Sequence, residues 1–259
     1  MVGPDADTPH TDARRARLTP YVQVALLAGL GFGLLSRWSE GSLTVYVNPA
    51  FVWLSLVSVA LLLVVSLPKL VELQHSDHQT GGHGLGWPTY LLAGLAAGLV
   101  LLLPPRPLGS ATLENQGLAS GGGAAAQSAG ANTASPLDDT TEWTLFEWST
   151  VWAQVGLRQK LVGRPASVVG FVHHPKAGML PDGQFMVARF VVRCCTADST
   201  ALAMAVLWPE AAALPSDSWV RVEGPFQIDR SGPEERPFIQ ASQVTPVPRP
   251  INPYHSTNG

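Results

Sequence analysis

The chain has 259 residues, only 14% of them charged, with a formal net charge of -3 at pH 7. A globular chain usually carries about a quarter charged residues, so this composition points to apolar blocks, and the missing basic surplus excludes nucleic-acid binding through many phosphate contacts. The two cysteines, Cys194 and Cys195, are adjacent, which excludes a framework of spaced disulfides.

Residues 1–17 read as a basic N-terminal tail with Arg14, Arg15 and Arg17, and residues 18–105 as a region of about three transmembrane helices. Residues 21–35 are uncharged, and a helix begun at Leu18 reaches roughly the 17 residues a crossing needs. Residues 48–67 carry no charge and meet that length directly. Residues 87–103 open with Trp87 and Tyr90, aromatics favoured at a lipid interface, and stop at Pro104 and Pro105. Backbone groups in hydrocarbon must be satisfied internally, so each run is expected as a helix. The arginines before the first run outnumber the lone Arg37 after it, which puts the N-terminus in the cytoplasm and everything beyond Arg106 outside. The start also has the outline of a signal peptide, but no small-residue cleavage site follows it. Gly29 with Gly33, and Gly94 with Gly98, have the spacing that lets helix backbones approach, either within the chain or against a partner. Between the second and third runs, His75, His78 and His83 with Asp77 form either a polar connector or a divalent-metal cluster.

Residues 106–136 read as a flexible Ala/Gly/Ser linker, too poor in apolar surface to order itself. Residues 137–250 are expected as an extracytoplasmic β domain, and 251–259 as a disordered tail. Thr144 and Glu147 have capping-box spacing, and Leu145, Trp148, Trp152 and Val155 share one helical face. Trp143, Trp148 and Trp152 either pack on the domain's own core or touch the bilayer interface or a partner protein. Period-two alternation then predicts five strands at 166–173, 185–194, 201–208, 218–228 and 237–246. Five strands broken by Gly or Pro fit a small OB-like barrel, with Gly170 and Gly224 at its bends. The fold class expected is therefore an α + β membrane protein: about three transmembrane helices and a C-terminal OB-like five-stranded β-barrel.

The candidate chemistry lies in Arg193-Cys194-Cys195-Thr196-Ala197-Asp198. Continued alternation turns Cys194 inward with Val192, Phe190 and Ala188, and Cys195 outward with Arg189 and Arg193. Four readings stay open. Cys194 is a core hydrophobe and Cys195 a bystander; the thiols bind zinc or copper with Asp198 and His173 or His174; the neighbours form a strained, reducible disulfide; or Cys195, near two arginines, is a nucleophile. Asp198 has the further option of an Asx-turn, and His173 and His174 that of an exposed loop before Pro175. No nucleophile elbow, P-loop, zinc-protease helix or dinucleotide fingerprint is present, so the chain is not read as an enzyme.

The segment Phe-Met-Val-Ala-Arg-Phe-Val-Val-Arg-Cys-Cys-Thr-Ala-Asp ending at Asp198, followed by Asp217-Ser-Trp-Val-Arg-Val-Glu-Gly224, resembles the YcgQ-like permease-subunit family of bacteria. The likeness covers roughly 163–247 and, more loosely, the helices, where Tyr46-Val47-Asn48-Pro49 is similar to the start of that family's second span. It implies N-terminal transmembrane helices, a C-terminal domain with a Cys-Cys-x-Ala-Asp motif, and a larger integral-membrane permease subunit as partner in the bacterial cell membrane. The expected function is an accessory subunit of a two-component permease, the alternatives being a membrane-tethered metal or cofactor chaperone using Cys194 and Cys195, or a structural adaptor. Ser199 replaces the Ala frequent in that family, and the long tether looks like an insertion.

Overall fold

A computed structural model of the chain describes residues 9–74, parts of 91–103, 106–116 and 139–256. The cluster of His75, His78 and His83, much of the run 87–103, and residues 117–136 of the linker lie outside the described residues. The chain divides into two compact units, one of Met1–Leu43 with Phe51–Pro105, the other of Thr44–Ala50 with Arg106–Gly259.

In the first unit α1 (Pro9–Ser39) packs against α2 (Val52–Gln74). Among the described residues no helix is long and apolar enough to cross a membrane, which corrects the expectation of three transmembrane helices. The apolar run 21–35 spans about 22 Å of helix, short of a hydrocarbon core of about 30 Å, and α1 reaches back to Pro9, taking Arg14, Arg15 and Arg17 into the same helix. The charge-free run 48–67 is not one helix either. Its first residues lie outside α2, with Pro49–Phe51 in a 3-10 turn, so the uncharged part of α2 before Lys69 covers only about 25 Å. Within the chain, a Cβ on Gly29 or Gly98 would meet nothing within 4 Å, and one on Gly94 would meet the Leu26 side chain at 3.6 Å.

The second unit holds the β domain. Its helices are α3 (Ser110–Gln116), α4 (Leu145–Trp152) and α5 (Arg158–Leu161). Its strands are β1 (Pro165–His173), β2 (Gln184–Val192), β3 (Thr200–Leu207), β4 (Trp219–Asp229), β5 (Arg236–Gln240), β6 (Gln243–Pro246) and β7 (His255–Ser256). They form a seven-stranded sheet in the order β1-β2-β3-β5-β4-β6, with β7 on β2 and β1 also paired to β4. This corrects the five-stranded OB-like barrel. The expected last strand is two strands, because the chain turns at Ala241 and Ser242, where the Ser242 amide donates to Glu223 at 2.8 Å. Two glycines serve close approach: a Cβ on Gly170 would lie 2.6 Å from the Ala188 carbonyl oxygen, and one on Gly224 would lie 3.0 Å from Cα of Ala241.

The capping box forms as its spacing predicts, with the Phe146 amide donating to Thr144 and the Thr144 amide to Glu147. Helix α4 buries Leu145, Trp148, Val151 and Trp152, whereas Val155, expected on that face, is 70% exposed beyond the helix end. Trp143, Trp148 and Trp152 are all buried in this unit's own core, which corrects their reading as a partner-binding surface.

Two segments assigned elsewhere by the sequence belong to this core. Leu113 of α3, in the expected linker, is fully buried in a second cluster with Phe171, Phe190, Trp219 and Tyr254. The start of α3 is fixed by Asp217, whose carboxylate accepts from the Ser110 amide at 2.6 Å, an approach that leaves no room for a Cβ on Gly109. Tyr254, in the expected tail, receives the Leu108 amide at 3.0 Å and donates to the Val45 carbonyl at 2.9 Å. The half-buried Arg189 guanidinium donates to the carbonyls of Pro253 and Asn252, holding the last described segment against β2.

Candidate metal centre

Strand β2 stops at Val192, and a single side chain accounts for the stop. The Asp198 carboxylate accepts from the Arg193 amide at 2.9 Å and from the Cys194 amide at 2.8 Å, so the chain bends out of the sheet before the cysteines. A 3-10 turn, Thr196–Asp198, closes the loop, with the Asp198 amide donating to the Cys195 carbonyl at 3.1 Å. Asp198 thus bonds backwards over four and five residues, in place of the Asx-turn that its composition suggested.

The bend reverses the expected facing of the thiols. Cys194 is exposed and Cys195 is half-buried, both are free, and their sulfurs stand 3.7 Å apart. Cys194 is therefore not a core hydrophobe: the alternation that would have turned it inward ends two residues earlier. The Asp198 carboxylate accepting its hydrogen bond, and then the Cys195 thiol, push the Cys194 thiol up to about 11. At neutral pH Cys194 is protonated, which makes it a poor nucleophile. Burial raises the Asp198 carboxyl, but the Cys194 thiol and the amides of Cys194, Arg193 and Cys195 outweigh it and hold the group below its ordinary value.

Among the described residues one group gathers three potential ligand atoms, Cys194, Cys195 and Asp198, all within 4.8 Å of one another. Two soft sulfurs and one hard oxygen at that spacing suit zinc, and the sulfurs suit copper(I). Each Asp198 oxygen accepts one amide, and a carboxylate oxygen has two acceptor positions, so coordination does not require either amide bond to break.

The histidines expected beside the thiols are not part of this group. His173 ends β1 at 2% exposure, its Nδ1 buried with no partner among the described residues, while His174 Nε2 lies 2.8 Å from the Leu214 carbonyl. Burial lowers the pKa of His173 against the pull of Glu114 and Asp217. A cavity of about 500 Å³ elsewhere, at Pro165, Ser167, Glu223 and Ser242, has Glu223 as its one carboxylate, already bonded to Ser167.

A fourth residue touches the cysteine loop without any sign of it in the local sequence. The Asn48 side chain donates to the carbonyls of Val192 at 3.0 Å and Arg193 at 2.9 Å, and its backbone amide donates to the Cys194 carbonyl at 3.0 Å. Only the motif Tyr46-Val47-Asn48-Pro49 could have flagged it, since hydrophobic periodicity is blind to a polar contact spanning 144 residues of sequence.

The DUF1980 C-terminal domain family matches residues 154–255, a stretch that includes β1 to β6, the cysteine loop and the first residue of β7. No curated protein and no solved structure matches the chain.

Proposed function

We propose that the C-terminal unit is a cation-carrying domain that holds zinc or copper(I) at Cys194, Cys195 and Asp198 and serves as the accessory subunit of a larger permease. The observation that carries the cation reading is the gathering of three ligand atoms within 4.8 Å on a loop whose backbone is already fixed. Such a loop has little left to order on binding, so the entropy cost is small. A cation entering between the three groups replaces the protons of both thiols, that of Cys194 being the one shared with Asp198, and both protons go to solvent. Three protein ligands leave a tetrahedral ion one open position, the arrangement of sites that exchange a ligand and not of closed structural sites. A carrier that passes its ion to a partner needs that opening. The permease role rests on the likeness of the Cys-Cys-Thr-Ala-Asp segment and of Asp217 to Gly224 to subunits of that kind.

Equilibrium dialysis of the reduced full chain against zinc, and separately against copper(I), tests the reading by metal per chain. One ion per chain, lost in Cys194→Ser and in Cys195→Ser, is the expected result. A folded chain that retains no ion refutes it.

A further inference from the structure

We infer that Asn48 is the positioning residue of the dithiol site, and that cation binding and the docking of the strap Thr44–Ala50 on the cysteine loop reinforce each other; the inference rests on the cation reading above. The strap meets the loop by more than one bond. Val47 and Cys195 form an antiparallel bridge, the Thr196 amide donates to the Tyr46 carbonyl at 2.9 Å, and the Asn48 amide donates to the Cys194 carbonyl at 3.0 Å. Asn48 itself is 3% exposed. Its Oδ1 accepts from the Ala50 amide at 3.0 Å, which fixes the flip of the side chain, so that Nδ2 faces the carbonyls of Val192 and Arg193.

The loop is thus held from two sides. Asp198 takes the amides of Arg193 and Cys194, and Asn48 takes the carbonyls of Val192, Arg193 and Cys194. Every one of these bonds is to backbone, and none uses a thiol. The arrangement fixes where both Cα–Cβ bonds start while leaving the sulfurs to a ligand. For Asn48 this is the role of an outer shell around a metal: a group that does not touch the ion sets the orientation of those that do, and the loss of such a group typically costs 10- to 100-fold in affinity. Linkage makes the effect reciprocal, because a cation that prefers the ordered loop must favour the strap that orders it by the same factor.

Two measurements on the full chain test this. The first is the zinc dissociation constant of the wild type, Asn48→Ala and Asn48→Asp, measured where thermal unfolding shows each to be folded. The expected result is a loss of about 10- to 100-fold in both variants, larger for Asn48→Asp, whose carboxylate faces two carbonyl oxygens. The second needs no variant: hydrogen exchange at the amides of Asn48 and Thr196 with and without saturating zinc. Zinc is expected to slow both about tenfold or more, the counterpart of the affinity change. Unchanged affinity in folded variants, or unchanged exchange in a wild type that binds zinc, overturns the role of Asn48 and leaves the cation reading standing. A wild type that binds neither zinc nor copper(I) overturns both.

Discussion

Trp148 lies nearly parallel to Phe226, with ring centroids 4.8 Å apart and an interplanar angle of 7°, and so fastens α4 to β4. Trp143 meets the same indole edge to face at 5.0 Å, and Arg158 caps Trp152 at 4.4 Å from the ring centroid. Truncation here opens a cavity that the stiff sheet cannot fill, so Phe226→Ala is expected to cost about 3–5 kcal/mol in urea unfolding. Trp148→Phe is expected to cost clearly less than Phe226→Ala, because it keeps a stacked ring and removes an indole N–H that is buried with no partner among the described residues. Equal losses in the two variants would contradict this account of the core.

Leu113 sits in what the composition marks as linker, yet none of its surface is exposed. Leu113→Ala is expected to destabilise the C-terminal unit by about 2–5 kcal/mol. A fragment beginning at residue 137 lacks Leu113, the Ser110 to Asp217 bond and the strap, and is expected to unfold at lower urea than the full chain's C-terminal unit. Equal midpoints would show that α3 contributes nothing.

Asp198→Ala removes the acceptor of two amides on an exposed loop, where water can replace it. The expected stability loss is therefore small, about 1 kcal/mol, while zinc affinity falls much further because the third ligand is gone. Parallel urea and zinc titrations check the split; a large stability loss with unchanged affinity would reassign Asp198 to a purely structural role.

Two histidines, His173 buried and His255 half-buried, give the C-terminal unit a pH dependence of known sign. Burial lowers the pKa of both His173 and His255, against the pull of Glu114 and Asp217 on the first and of Glu147 on the second. The unfolded chain takes up those protons near pH 6.5 and the folded chain only at lower pH, so their contribution to stability is full above about 6.5 and is lost progressively as pH falls from there through the lower folded-state value. Each histidine contributes a slope of at most about 1.4 kcal/mol per pH unit. Urea unfolding at pH 7.5, 6.5 and 5.5 should show declining stability, with a shallower decline in His255→Gln; a flat profile would contradict the lowered pKa of both rings.

The strands were legible where alternation was clean, as at β1 and β4, because a half-buried strand writes its two faces into the sequence. Alternation said nothing about where β2 ends, since the stop is imposed by a carboxylate six residues on, and so it turned Cys194 the wrong way. Membrane crossing was read from the length of uncharged runs, but such a run does not reveal where its helix begins: Asn48 counts as apolar span by charge and is in fact spent on the cysteine loop. The linker was read from average composition, which hides Leu108 and Leu113, both of which pack. The two thiols and Asp198 were found together because they are neighbours in sequence; Asn48 was not, because its partners are far along the chain. His173 was grouped with the thiols by chemistry alone, and the fold gives it a buried place at the end of β1 instead.

X-ray absorption at the zinc edge of the loaded full chain tests the central claim most directly. Coordination by Cys194, Cys195 and Asp198 predicts two sulfur scatterers at about 2.3 Å and oxygen at about 2.0–2.2 Å, with the sulfur shell reduced to one in either single Cys→Ser variant. A zinc shell of oxygen and nitrogen alone, unchanged by those substitutions, would place the ion elsewhere and contradict the account.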